Sequence, residues 1–156
     1  MIVYERIESS LYKTSFKLSI KPKSLHGLLF YSGQLEKDFI SLGLSNGFVV
    51  FQFDLGSGPA FIKSETKIRT EEWTSIEAWR DGSTGHLRIA GQSKTVKGRS
   101  LGRFNGLNLN GELFVGGFED YGKLFGQTKH DSGFEGCMST LAVNGVDKDF
   151  GKLRSK

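Results

Sequence analysis

The residues of this chain that could do chemistry are poorly spaced for catalysis. Glu36-Lys37-Asp38 begins a run of alternating carboxylates, but Ser41 stands where another acid would complete the Glu-x-Asp-x-x-Glu arrangement of a sugar-cleaving jelly roll. A retaining glycosidase needs two carboxylates about 5–5.5 Å apart. The adjacent pairs Glu71-Glu72 and Glu119-Asp120 would point to opposite sides of an extended strand. His26, His86 and His130 show no metal-ligand spacing, which excludes a zinc site. Cys137 lies in an apolar stretch, where a thiol is expected to be inert packing. Gly56-Ser57-Gly58 lacks the Gly-x-Ser-x-Gly frame and precedes no helix. No catalytic constellation survives, so the chain reads as a binding module and not an enzyme.

Binding residues are easier to find. Lys94, Lys97, Arg99 and Arg103 crowd the segment leading to Asn108 and would attract an anionic ligand. Only Phe104 is interleaved with them, too few aromatics for stacking on nucleic acid bases. Lys63, Lys67 and Arg69 form a second basic stretch that reads as a solvated face. Trp73 and Trp79 read as core, although a half-exposed tryptophan can serve a sugar face.

The elements that must position these residues are strands. Phe16, Leu18 and Ile20 alternate with Lys17 and Ser19, a period of two. Ile40, Leu42 and Leu44 alternate with Ser41 and Gly43; after Ser45-Asn46-Gly47, Val49, Phe51, Phe53 and Leu55 form the apolar face of a returning strand. A Gly56-Ser57-Gly58-Pro59 break separates these from a short apolar stretch at Ala60-Phe61-Ile62. Trp73 to Trp79 and Gly85 to Ala90 form a second hairpin through Arg80-Asp81-Gly82. Asn105-Gly106 and Asn110-Gly111 precede a strand at Leu113-Phe114-Val115, and a last strand runs from Gly136 to Val143 before Asn144-Gly145. No segment carries a sustained helical stripe, so helix should be minimal. The pattern predicts an all-β fold, a sandwich of two sheets packed face to face.

Length and composition agree. The 156 residues suit one domain, with an ordered core expected from about 12 to 147 and polar residues 148–156 expected to fray. Gly is abundant at 21 and Pro scarce at 2, as expected for strands joined by tight turns. The net charge of +4 gives only a mild preference for anionic partners. No apolar stretch is long enough to span a bilayer, and the start has no secretory h-region. The single cysteine excludes an internal disulfide, which fits a reducing compartment or a fragment that has lost a partner cysteine.

An ordered set of phrases goes further. Gly27-Leu28-Leu29-Phe30-Tyr31-Ser32-Gly33, Lys37-Asp38-Phe39-Ile40-Ser41-Leu42 and Phe53-Asp54-Leu55-Gly56-Ser57-Gly58 are followed by Glu72-Trp73, Leu113-Phe114-Val115-Gly116-Gly117 and Gly133-Phe134-Glu135-Gly136-Cys137. From about Tyr12 to Gly145 the chain resembles a laminin G-like domain, in the style of those of agrin and perlecan. The resemblance implies a two-sheet, concanavalin-like jelly roll and an extracellular, non-catalytic role. In many members the cysteine at the position of Cys137 pairs with one near the domain end, which this sequence lacks.

The resemblance also implies one calcium ion at the sandwich rim. Asp38 matches the charged ligand and Asn108 the second side-chain ligand, with backbone carbonyls from Leu55 and Gly106. Calcium takes six to eight oxygens, so this set leaves positions for water or a partner. One carboxylate against a divalent ion implies weak binding, on the order of 0.1–1 mM, which suits an extracellular module. The implied partners are an acidic glycan or glycoprotein of the α-dystroglycan type, or heparan sulfate. Alternatives are a calcium-dependent protein contact of the neurexin type and metal-independent heparin binding.

Overall fold

The computed structural model describes residues 1–8, 11–34, 37–107, 109 and 111–148. Glu36, Asn108, Asn110 and the expected frayed tail from 149 onward lie outside the described residues. The remainder folds as two six-stranded antiparallel sheets. One sheet contains β1 (Ile2–Tyr4), β3 (Gly27–Gly33), β4 (Phe39–Ser45), β5 (Phe48–Asp54), β6 (Pro59–Lys63) and β10 (Leu113–Val115), in the order β1-β10-β3-β4-β5-β6. The other contains β2 (Lys13–Pro22), β7 (Thr74–Asp81), β8 (Thr84–Ile89), β9 (Val96–Arg99), β11 (Gly136–Val143) and β12 (Val146–Asp147), in the order β12-β11-β2-β7-β8-β9. The two-sheet sandwich expected from period-two patterning is therefore present. Strand β1 extends order ahead of the expected start at residue 12.

Alternation explains the second sheet directly. In β2, Thr14, Phe16, Leu18 and Ile20 point inward and Lys13, Ser15 and Lys17 outward. Phe16 meets Phe30 of the facing sheet with ring centroids 3.9 Å apart, one of the contacts that join the layers. Each fully buried side chain of this kind, such as Leu18 or Phe51, contributes about 1.5–3 kcal/mol.

The first sheet departs from simple alternation. Strands β3 and β4 are buried on both faces for six residues each. Their outer face is covered by a helix, α1 (Tyr121–Thr128), whose Leu124 is fully buried with Leu28, Tyr31, Phe39 and Phe114. Asp120 caps the helix by accepting from the Lys123 backbone N–H. The small residues Ser41 and Gly43 on β4 admit the covering segment; a Cβ at Gly43 would collide with the His130 ring. A register shift between Leu28 and Phe30 lets Leu28 join the outer cluster while Leu29 and Phe30 face the main core.

The turns follow their sequences. Asn46-Gly47 and Asn144-Gly145 both take positive φ, as a two-residue hairpin requires. At the β7–β8 hairpin, Asp81 pairs with Thr84, so Gly82 and Ser83 are the central pair rather than Asp81-Gly82. Only Gly82, at φ +60°, has positive φ there, as in a type II′ turn. Two sequence expectations are corrected. Trp73 is 53% exposed in the loop just ahead of β7, and Trp79 lies half-buried on the outer face of β7, because it falls in the outward phase of alternation. Cys137 is exposed, since β11 is solvent-facing at its N-terminal end.

Candidate functional site

Asp38 stands immediately before β4, where Phe39 pairs with Asp54 of β5. The β5–β6 connection folds back beside it. The Asp54 carboxylate accepts from the backbone N–H groups of Gly56 (2.8 Å) and Gly58 (3.2 Å), so Asp54 shapes the turn that carries Leu55. Gly56 has φ +106°, and a Cβ there would stand 3.3 Å from Asp38 Oδ1. Glycine thus lets the turn approach the carboxylate closely, where a side chain would crowd it.

A second loop, residues 101–107, lies across this turn. The Leu101 N–H donates to the Gly58 carbonyl (3.3 Å), and Ser57 Oγ donates to the Leu101 carbonyl (2.6 Å). The Phe104 ring packs at 3.3 Å from the same Gly56 Cβ position that faces Asp38. The Leu107 N–H donates to the Leu11 carbonyl at 2.7 Å, holding the segment that contains Gly106. Asp38, Leu55 and Gly106 are thereby carried by segments linked at one end of the sandwich.

Arg80 ties that end together. It is 1% exposed. It donates to the carbonyls of Gly82 (2.7 Å), Asn105 (3.2 Å) and Leu11 (2.8 Å), and to Thr14 Oγ1 (3.3 Å). Burial lowers its pKa to about 10 against the opposing attraction of Asp81 and Asp38, so the guanidinium remains cationic at neutral pH. The signal was legible: Arg80 follows Ile76 and Ala78 in the inward phase of β7.

Gln127 connects the helix to the same region. Tyr31 Oη donates to Gln127 Oε1 at 2.6 Å, and Gln127 Nε2 donates to the carbonyls of Gln34 and Lys37, both at 3.1 Å. The residue preceding Asp38 is therefore anchored by α1. No sequence motif marked Gln127, because its partners are backbone carbonyls distant in the chain. Lys37, Phe39, Asp54, Gly56, Pro59 and Gln127 line an open depression of about 320 Å³ here, with Gly126.

The four candidate cations do not form one cluster. Arg103 belongs to the loop across the Gly56–Gly58 turn, and Arg99 Nη2 donates to Ser83 Oγ (3.3 Å) at the adjoining β7–β8 turn. Lys97 pairs with His86 on the outer face of the second sheet, at its β9 edge, while Lys94 lies beyond the other end of β9. Lys63 and Lys67 hold their ammonium groups 4.0 and 5.6 Å from the Phe48 ring centroid.

The oxygen donors at this end suit a hard cation. Among the described residues no three His, Cys, Asp or Glu side chains gather, so the donor set consists of the Asp38 carboxylate and backbone oxygens. The Asp38 carboxylate, which the absence of a side chain at Gly56 leaves uncrowded on that side, is compatible with calcium, which accepts such mixed oxygen shells. Asp38, Leu55 and Gly106 would hold it; Asn108 lies outside the described residues. Bound calcium would supply a positive Lewis-acidic centre for anionic oxygens.

Among the described residues no helix is long and apolar enough to cross a membrane. The chain resembles the basement membrane-specific heparan sulfate proteoglycan core protein of mouse, at 36% identity over 150 residues. It also resembles rat pikachurin, at 34% over 151 residues, and human neurexin-2, at 35% over 127. These matches cover 90%, 95% and 76% of this chain but only 4%, 15% and 7% of the respective relatives. The mouse laminin α1 structure, domains LG4-5, superposes with a TM-score of 0.83 at 23% identity, covering 99% of this chain and 41% of that one. A family model described as Laminin G domain matches residues 20–146, and together with the relatives it settles that the chain belongs to the laminin G domain family.

Proposed function

We propose that the chain is a non-catalytic extracellular binding module that takes an acidic glycan or glycoprotein at the Asp38 end of the sandwich, with calcium completing the site. Membership of the laminin G domain family and its matrix and adhesion relatives support the general role. The observation that supports the specific reading is the Asp38 carboxylate set against Gly56, where any side chain would crowd it, between two loops tied to each other. Arg103 and Arg99 flank this end and would meet the negative groups of the ligand, the metal meeting others directly. Lys97 and Lys94 lie outside that cluster.

Calorimetric titration of calcium into chelated protein tests the reading. Millimolar-range binding that disappears in Asp38→Ala supports it; absence of binding by the wild type at several millimolar defeats the calcium mechanism. A second reading, a calcium-dependent protein contact, rests on exposed apolar groups at the same end. Leu101 and Phe104 are 61% and 57% exposed, and Leu11 and Tyr12 are 43% and 57%. Tyr12→Ser with Leu101→Ser separates the readings: it would abolish capture of a protein partner and leave the affinity for an acidic oligosaccharide unchanged.

A further inference from the structure

We propose a second ligand site, independent of calcium, on the solvent face of β2, β7 and β8: a cleft in which one ring of an acidic polysaccharide stacks against Trp79. It lies on a different surface from the Asp38 carboxylate and needs no calcium ligand; Arg99, beside the β7–β8 turn, borders both.

Trp79 pairs across the sheet with Ser15 on one side and His86 on the other. The His86 ring lies parallel to the indole, with centroids 5.0 Å apart and 11° between planes. One indole face is therefore covered, and the opposite face turns toward the small Ser15. Beyond Ser15 the cleft is bounded by Ala142 of β11 and Gly145 of the turn that follows it. Asn144 of that turn fixes its floor, accepting from the Ser15 N–H (2.8 Å) and donating to the Glu8 carbonyl (3.0 Å). The result is a cleft of about 490 Å³ with an aromatic wall, a small-residue floor and the polar flanks Lys17, Glu77 and Arg88. A sugar ring offers an apolar C–H face for such a wall and hydroxyls for the polar flanks.

The charge selects an acidic sugar. Lys17, Glu77 and Arg88 form one cross-strand row, and Lys97 ends the Trp79 row beyond His86. Lys13, Asp81, Thr84 and Arg99 form the next row toward the β7–β8 turn. Among the described residues, the salt bridges are Arg69–Glu72 and Lys123–Asp120, so no ion pair closes on this face, where Lys13, Lys17, Arg88, Lys97 and Arg99 outnumber Glu77 and Asp81. Rows on one strand face repeat at about 6–7 Å. A carboxylate or sulfate on a neighbouring ring thus comes within reach of Lys17 and Arg88 when one ring occupies the Trp79 wall. The same face explains why burial and Lys97 together lower the His86 pKa: the imidazole is neutral beside a cation and serves as a stacking support.

The test is calorimetric titration of a heparin hexasaccharide and a hyaluronan hexasaccharide in excess EDTA, with neutral chitohexaose for comparison. Wild type and Asp38→Ala should bind at least one acidic probe equally. Trp79→Ala should bind about tenfold more weakly, as expected for a lost ring-stacking contact. Trp79→Phe should retain an intermediate affinity, and Lys17→Ala with Arg88→Ala should weaken binding and flatten its salt dependence. Denaturation curves confirm that each variant is folded. Acidic-probe binding unaffected by Trp79→Ala would overturn the proposal, leaving only diffuse electrostatic attraction. So would no acidic-probe binding in EDTA, or chitohexaose binding as tightly as the acidic chains. Loss of binding in Asp38→Ala would assign the sugar to the rim instead.

Discussion

The two sheets present opposite outer faces. On the β3–β4–β5 sheet, the outer face is sealed by α1 and the segment carrying His130, over an apolar cluster of Leu28, Tyr31, Phe39, Phe114 and Leu124. On the β2–β7–β8 sheet, the outer face is bare and bears Lys17, Glu77, Trp79, His86 and Arg88. An antiparallel sheet can leave one face wet, whereas a sheet apolar on both faces must find a cover. The covered sheet therefore holds the fold and positions the Asp38 end, and the open sheet is free to bind.

This contrast makes ordered predictions. Truncating Leu124 to Ala, at the anchor of the cover, should destabilise the protein by about 3 kcal/mol in urea unfolding. Gly43→Ala forces a Cβ into the His130 ring, and a loss of about 2 kcal/mol is expected. Small losses at both positions would break the claim that the cover is structural.

Acidification should loosen the same cover. Burial lowers the pKa of His130 below 6.5, outweighing Asp131 and backbone groups that favour the charged form, while His26 adds to the lowering. Between the folded value and 6.5 the unfolded chain binds more protons, so stability should fall as pH drops below about 6.5. Comparing unfolding at pH 7.5 and 5.5 in wild type and His130→Gln checks this; the variant should show the smaller difference.

Tyr31→Phe removes the hydrogen bond to Gln127 and should cost about 1 kcal/mol, measured by denaturant unfolding. Because burial pushes the Tyr31 phenol above its ordinary range, the hydroxyl is a neutral donor throughout that experiment. On the open face, Lys17→Ala should change stability by less than about 0.5 kcal/mol, since surface charges away from special features contribute little. A larger loss would show that the open face also supports the fold.

Much of the architecture was legible because alternation in β2, β7 and β8 is a local property with a wet outer face. The Asn46-Gly47 turn was legible for a similar reason, since two adjacent residues determine its backbone. Helix α1 escaped notice because Tyr121–Thr128 is short, contains two glycines and buries Leu124 and Thr128 without a sustained stripe. The tryptophans misled because residue type suggested core, while Trp79 falls out of phase with Ile76 and Ala78 and Trp73 precedes the strand.

The same division applies to function. The sequence by itself determined the family phrases, the strand periodicity and the acidic residue Asp38 poised before a strand, because each is written in neighbouring residues. Only the tertiary structure decided that Gly56 and Phe104 meet in front of Asp38, that Gln127 anchors Lys37, and that Lys97 and Arg99 separate along β9. These relations depend on sheet register and loop crossing, which bring together residues tens of positions apart and set the direction of every side chain.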